Sequence, residues 1–289
     1  MQSTGDTRNR QFRTRLGGIA RDWLPPAFHR AIASLSGSSS SFCGEFGSWA
    51  DASANCAGYD ADLILNAVLE SALKVKSGAA AFERDSVVFD EPAYEWPLLT
   101  GLLWAAARNS GALSVLDFGG SLGSSYFQHR HLLKGLCRLR WAVVEQPHYV
   151  RAGRKYLQDD WLRFHESIDD CVIEERPNAV LLSAVLAYIE SPYNLLAHIG
   201  SLGAEVIIVD RTIVNFGSTD RLYIQRAPKS IYAASYPCWS LSESRLLESI
   251  APGYELEQSF ASLAFPGLHR IDSCFRGYIF RKNAPCVKC

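Results

Sequence analysis

The stretch Asp117-Phe118-Gly119-Gly120-Ser121-Leu122-Gly123 sets three glycines within five positions, directly after the apolar run LSVLDF. Glycine lets the backbone turn sharply and lets a ligand approach with no Cβ in the way. A helix that follows such a turn presents its N-terminal N–H groups to whatever is bound. A second apolar run, RWAVVE, ends on Glu145, 22 residues beyond Gly123. An acidic side chain at that strand end accepts both hydroxyls of a ribose. Turn, strand end and helix together predict a site for a nucleoside-containing cofactor. The spacing is Gly-Gly-x-x-Gly rather than G-x-G-x-x-G, and Asp117 lies on the strand itself, two residues before the first glycine. A carboxylate there repels a pyrophosphate but attracts the amino group or sulfonium of S-adenosylmethionine, which favours that cofactor over NAD.

These residues need a scaffold, and from about residue 112 the chain supplies one. Apolar runs at 113–118, 140–145, 162–166, 178–186 and 204–210 alternate with helical stretches ending near Lys134, Tyr156 and Ser201. That alternation predicts a parallel sheet covered on both faces. After a helix at 240–250, the runs YELEQSF and CFRGYIFRK follow with no helix between them. The expected fold class is α/β: a doubly wound, mostly parallel sheet ending in an antiparallel hairpin, with an N-terminal helical extension. Residues 1–41 read as a basic arm and linker, 42–110 as a helical cap, and 111–289 as the catalytic domain with an acceptor-side insertion at about 212–240. Within the cap, AAFERDSVVFDEPAYEWP is too irregular for an element and too charged for deep core, which suits a lid.

Several strings have a familiar form. VLDFGGSLGSSYFQ, WAVVEQP, LLSAVLAYIESPY, VDRT and QRAPKSIYAASYPCWS, with FCGEFGSWADA, GYD and FERDSVVF upstream, resemble a bacterial family of S-adenosylmethionine-dependent methyltransferases. The resemblance spans about residues 42–282. It implies a class I methyltransferase-like Rossmann fold, and members of this family are often met in surface-polysaccharide gene clusters. Carried over, it puts Asp117, Gly119, Gly120, Ser121 and Gly123 around the methionine part of the cofactor. Glu145 would hold the ribose, Gln146 would border the adenine, and Ser183 would face the cofactor from the far side. His165 falls where the adenine edge is often contacted, although this chain has no Asp there and Glu166 follows instead.

In open α/β sheets the reacting atoms lie beyond the C-terminal strand ends. Tyr188 and Glu190 after the fourth strand, and Asp210 and Arg211 after the fifth, are therefore expected to meet the acceptor. The segment 220–239 carries Tyr223, Gln225, Tyr232, Tyr236 and Trp239, whose aromatic faces and polar edges suit a sugar ring or similar small molecule. A hydroxyl nucleophile needs a general base, and Asp210, Glu190 and His165 are the candidates. Asp210-Arg211 as an internal ion pair is the competing reading. The expected function is methyl transfer to a small polar acceptor, a sugar or glycan hydroxyl or amine. A NAD-dependent sugar oxidoreductase and a cofactor-binding scaffold without turnover remain as alternatives; the absence of Tyr-x-x-x-Lys after the fourth strand counts against the first.

The remaining features bound the partners. A net charge of −1 argues against nucleic acid as a partner. Residues 1–41 nevertheless hold Arg8, Arg10, Arg13, Arg15, Arg21 and Arg30 against Asp6 and Asp22. With Leu16, Ile19, Trp23 and Leu24 interleaved, residues 8–35 suit peripheral contact with an anionic membrane. No secretory signal is evident, so the eight cysteines read as thiols and the chain as cytoplasmic, at the inner membrane face if the arm docks. No metal is expected at His129-Arg-His131 or at Cys286-Val-Lys-Cys289. The oligomeric state is not specified.

Overall fold

The computed structural model describes residues 41–56, 61–84, 86–226, 234–262 and 271–284, with no side chains described at 61–63. The basic arm, Tyr232 and the Cys286/Cys289 pair lie outside the described residues. In chain order the elements begin with β1 (Ser41–Phe46), α1 (Trp49–Ala54), α2 (Ala61–Ser77), β2 (Phe82–Arg84), β3 (Val87–Phe89) and α3 (Trp96–Arg108). There follow β4 (Ala112–Phe118), α4 (Ser124–Leu133), β5 (Arg138–Val144), α5 (Pro147–Tyr156), β6 (Leu162–His165), α6 (Ile168–Glu175) and β7 (Ala179–Ser183). After a 3₁₀ turn at Leu186–Tyr188 come α7 (Pro192–Ser201), β8 (Val206–Asn215), β9 (Arg221–Arg226), β10 (Ser235–Ser242), α8 (Glu243–Ile250), β11 (Tyr254–Ala261) and β12 (Cys274–Lys282).

The main sheet runs β1-β9-β10-β8-β7-β4-β5-β6, with β12 added antiparallel to β8 and β11 antiparallel to β12. The pairs β4/β5, β5/β6, β4/β7 and β7/β8 are all parallel. The order reverses at β4, so the crevice beyond the ends of β4 and β7 is the switch point where such sheets bind ligands. The expected class I methyltransferase-like Rossmann architecture, closed by an antiparallel hairpin, is the one that forms.

Strand alternation decides which side chains go to which layer. Val115, Trp141, Val143, Leu162, Phe164, Leu181 and Ile208 face one apolar layer, built by α2, α3, α4 and α5. Leu116, Ala142, Val144, Val180, Leu182, Ile207 and Val209 face the other, built by α6, α7 and α8. Among the described residues no helix is long and apolar enough to cross a membrane.

Three segments differ from expectation. Residues 41–46 form a strand rather than part of a helical cap, pairing β9 with Phe42 opposite Gln225. The described part of the region expected as an acceptor-side insertion, at about 212–240, extends the sheet. Leu222, Tyr223 and Ile224 are buried in β9, and β10 pairs antiparallel with β9 and parallel with the far end of β8. Within FERDSVVF, β2 and β3 pair antiparallel with Arg84 opposite Val87, and Glu83 and Arg84 are buried. Charge density misleads there, because Glu83 finds a partner at the start of α4 and Arg84 finds Glu95, just before α3.

Candidate cofactor site

The glycine turn joins β4 to α4 and supports the reading of close packing. Gly119 has φ +69°, and a Cβ there would come within 2.5 Å of Val185 Cγ2. A Cβ on Gly120 would collide with the Asp117 carboxylate, so the turn lies directly over that side chain. Gly123 caps α4 in the left-handed region, at φ +89°. Three non-glycine residues beside the crevice also have positive φ: Ser121 at 55°, Ala184 at 56° and Arg211 at 49°. Such strain costs about 1–3 kcal/mol per residue and gathers where function constrains the backbone.

Asp117 sits beneath the turn, almost fully buried, with Oδ2 accepting a 2.9 Å hydrogen bond from Trp141 Nε1. Its Oδ1 is buried with no hydrogen-bond partner among the described residues. Burial pushes its carboxyl up to about 7; the Trp141 N–H opposes this, Glu145 adds to it and the Arg211 guanidinium opposes it. Glu145, just past the end of neighbouring β5, and Arg211, within β8, thus act on Asp117 electrostatically. Glu145 follows β5, and its Oε2 accepts the Gln146 N–H at 2.7 Å. The Ser121 backbone N–H also acts on the Glu145 carboxylate, which ties the ribose candidate to the glycine turn. Burial raises the Glu145 pKa and these two backbone donors pull it back down. Gln146 itself is exposed at the start of α5.

Asp210 and Ser183 end up together across the β7/β8 pair. Ser183 Oγ donates to Asp210 Oδ2 at 3.0 Å, and Ser262 Oγ donates to Asp210 Oδ1 at 3.0 Å. Arg211 Nε lies 3.5 Å from Asp210 Oδ2 and also donates to Ser183 Oγ. Asp210 is almost fully buried with both oxygens occupied. This is the internal ion-pair arrangement, and it leaves Asp210 poorly placed to accept a proton from an outside hydroxyl.

His165 requires a correction. Leu162 and Phe164 pack in the α2–α5 layer, so alternation turns His165 to the α6 side of the sheet. Its nearest charged neighbours are Glu174 and Glu175, at 3.9 and 3.6 Å, on α6. Asp117 and Glu145, by the same alternation, project from the opposite face with Trp141 and Val143. His165 is therefore neither a base for this crevice nor an adenine contact on that face.

On the acceptor side, Tyr188, Gln225 and Tyr236 do come together. Tyr188 Oη donates to Gln225 Oε1 at 2.9 Å, and its ring packs edge-on to Tyr236 at 5.4 Å. Trp239 is committed elsewhere: Nε1 donates to the Ile189 carbonyl at 3.1 Å and the ring stacks on Trp49 at 5.9 Å. Glu190 is exposed.

A polar wall beside α4 escaped sequence reasoning. Arg84 pairs with Glu95 at 2.6 Å, both largely buried, and Ser124 Oγ at the start of α4 donates to Glu83 Oε1. His129, fully buried, receives the Glu95 backbone N–H on Nε2 at 3.2 Å. An N–H only donates, so Nε2 accepts and Nδ1 carries the proton that reaches Ser125 O at 2.9 Å. Burial lowers the His129 pKa and keeps the ring neutral in this role. The one signal available was helical spacing, since Ser124, Gln128 and His131 recur on α4 at intervals of three and four.

No protein-family model matches the chain, and no curated protein matches it in sequence. Several solved structures are similar to it. The N-terminal domain of EvdMO1, determined in the presence of SAH and D-fucose, is 16% identical, with 78% of this chain and 98% of that one covered and a TM-score of 0.45. The 1,6-didemethyltoxoflavin-N1-methyltransferase of Burkholderia thailandensis is 17% identical over 79% and 93% of the two chains, with a TM-score of 0.41. An S-adenosylmethionine-dependent methyltransferase from Clostridium acetobutylicum ATCC 824 is 8% identical over 66% and 93%, with a TM-score of 0.44. At these values no residue role or substrate passes to this chain. The sheet order and the glycine turn define a Rossmann-like α/β protein on their own evidence.

Proposed function

We propose that the chain is an S-adenosylmethionine-dependent methyltransferase acting on a small polar acceptor, a sugar or glycan hydroxyl or amine. The observation that carries this reading is buried Asp117, with one unpartnered oxygen, directly beneath a glycine turn at the switch point of the sheet. The residues suit the cofactor. The turn offers backbone without Cβ atoms, Glu145 offers a carboxylate for a ribose, and buried Asp117 has an unpartnered oxygen that favours nearby positive charge. When bound, the cofactor supplies a methyl group already activated on a sulfonium. The chain's own contribution is then alignment and exclusion of water. Tyr188, Gln225 and Tyr236 would orient the acceptor, while Asp210 holds Arg211 and Ser183 in place. Glu190 is the remaining candidate for taking a proton.

Calorimetric titration of the full chain with S-adenosylmethionine, with its demethylated product and with NAD tests the cofactor. Binding of the first two but not NAD is expected; binding of NAD alone would replace this reading with the oxidoreductase. The engaged Asp210 favours one second reading, a cofactor-binding scaffold without turnover. Transfer of labelled methyl from the cofactor into cell extract separates the two, since a scaffold labels nothing. We further propose that residues 8–35, within the basic arm, contact an anionic membrane. Deleting 1–41 should then weaken binding to anionic liposomes while leaving cofactor affinity unchanged.

A further inference from the structure

We infer that His165, Glu174 and Glu175 form a site for a divalent transition ion of the zinc class, on the face of the sheet opposite the cofactor crevice. One ligand atom from each residue lies within 4.8 Å of the others. His165 is 4% exposed, and its Nε2 is buried with no hydrogen-bond partner among the described residues. That unpartnered nitrogen faces Glu175 Oε1 at 3.6 Å, while Glu174 Oε2 stands 3.9 Å from Nδ1. Both distances exceed a hydrogen bond. An imidazole gives an ion one nitrogen, here Nε2, and its distance to Glu175 Oε1 approaches the separation of about 3.3 Å between neighbouring ligands of a tetrahedral ion with bonds of about 2.0–2.1 Å. Glu174, which is 65% exposed and stands beside the other ring nitrogen, completes the set by turning its carboxylate towards Nε2.

The surroundings are suited to a cation. Glu174 and Glu175 end α6, so the negative pole of the helix adds to their charge. Arg140 Nε lies 3.9 Å from Glu175 Oε2, the oxygen other than the one facing the imidazole. It can hold that carboxylate in orientation from outside the ligand set. One imidazole and two carboxylates suit zinc, iron or manganese better than calcium, which takes oxygen alone. Placed here, the ion would clamp the end of β6 to the end of α6. The His165 carbonyl also accepts the Glu145 N–H at 3.1 Å, so the clamp would steady the strand end that carries Glu145. The role is structural, and it does not depend on the methyltransferase reading.

The test uses the full chain carrying Cys286→Ser and Cys289→Ser, freed of metal by chelator dialysis and titrated with Co²⁺, then with Zn²⁺ in competition. Expected are visible cobalt bands saturating at one ion per chain without sulfur-to-cobalt charge transfer, displacement by Zn²⁺, and a Tm that rises with Zn²⁺ concentration. Glu174→Gln, at an exposed position that folding tolerates, should weaken binding at least about tenfold with an unchanged far-ultraviolet dichroism spectrum. His165→Gln should do the same if it folds. No cobalt uptake, or uptake that Glu174→Gln and Glu175→Gln leave unchanged, would overturn the proposal; His165 would then be an imidazole lying beside two carboxylates.

Discussion

Asp117→Asn offers the sharpest test of the buried carboxyl under the glycine turn. The ordinary Asp value is 3.8 and the folded one about 7, raised chiefly by burial. Between those pH values the folded chain keeps a proton that the unfolded chain has lost. Stability from this group therefore falls as pH rises, by about 1.4 kcal/mol per unit, and levels off above about pH 7. From pH 5 to 8 the loss is on the order of 2–3 kcal/mol. Asparagine keeps the shape and can still accept the Trp141 N–H, but it does not titrate. Its amide N–H₂ faces the site of the unpartnered oxygen and costs about 1–3 kcal/mol if unsatisfied. The variant should thus gain about 2–3 kcal/mol on the parent between pH 5 and pH 8. Urea unfolding of both chains at pH 5, 6, 7 and 8 reads the difference directly, and titrations not coupled to Asp117 cancel. Parallel profiles across that range would refute the reasoning, because they would mean that Asp117 is ionised throughout.

Three other outcomes follow from the same geometry. Glu145→Ala should weaken binding of the demethylated cofactor about tenfold to hundredfold by calorimetry, the value of charge-assisted hydrogen bonds of about 1.5–3 kcal/mol, while leaving the dichroism spectrum unchanged. Gly119→Ala must adopt φ +69° and press on Val185, so it should destabilise the chain by about 1–3 kcal/mol and lower cofactor affinity; Val185→Ala in the same chain should recover part of both. Glu95→Gln strands the buried Arg84 charge and should cost about 3–5 kcal/mol in urea unfolding. The apolar double variant Arg84→Met/Glu95→Leu should lie much closer to the parent.

How far the sequence reaches depends on whether a signal is local. Apolar runs and their spacing suffice for the α/β class, since a strand buried on both faces must be apolar along its length, as Ala179–Ser183 is in all but its last residue. The glycine turn was legible for the same reason: only a residue without Cβ fits against Val185 and the Asp117 carboxylate. The terminal hairpin, too, follows from two strand-like runs with no helix between them. Partnership is different, because it joins residues far apart in the chain. Glu83 and Arg84 look like solvent-facing charge until α4 and Glu95 close around them, and β1 reads as part of a helical cap until β9 supplies its hydrogen bonds. His165 lies one position beyond Phe164, and that single step, through the twofold alternation of a strand, moves it from the cofactor's face to the opposite one. Asp210 looks like a free base in the sequence; only the folded chain brings Ser183 and Ser262 to its two oxygens. The sequence by itself determined the scaffold and the turn, which rest on backbone sterics and periodic burial. Tertiary structure alone decided which charged groups are engaged, because that depends on long-range pairing no local pattern encodes.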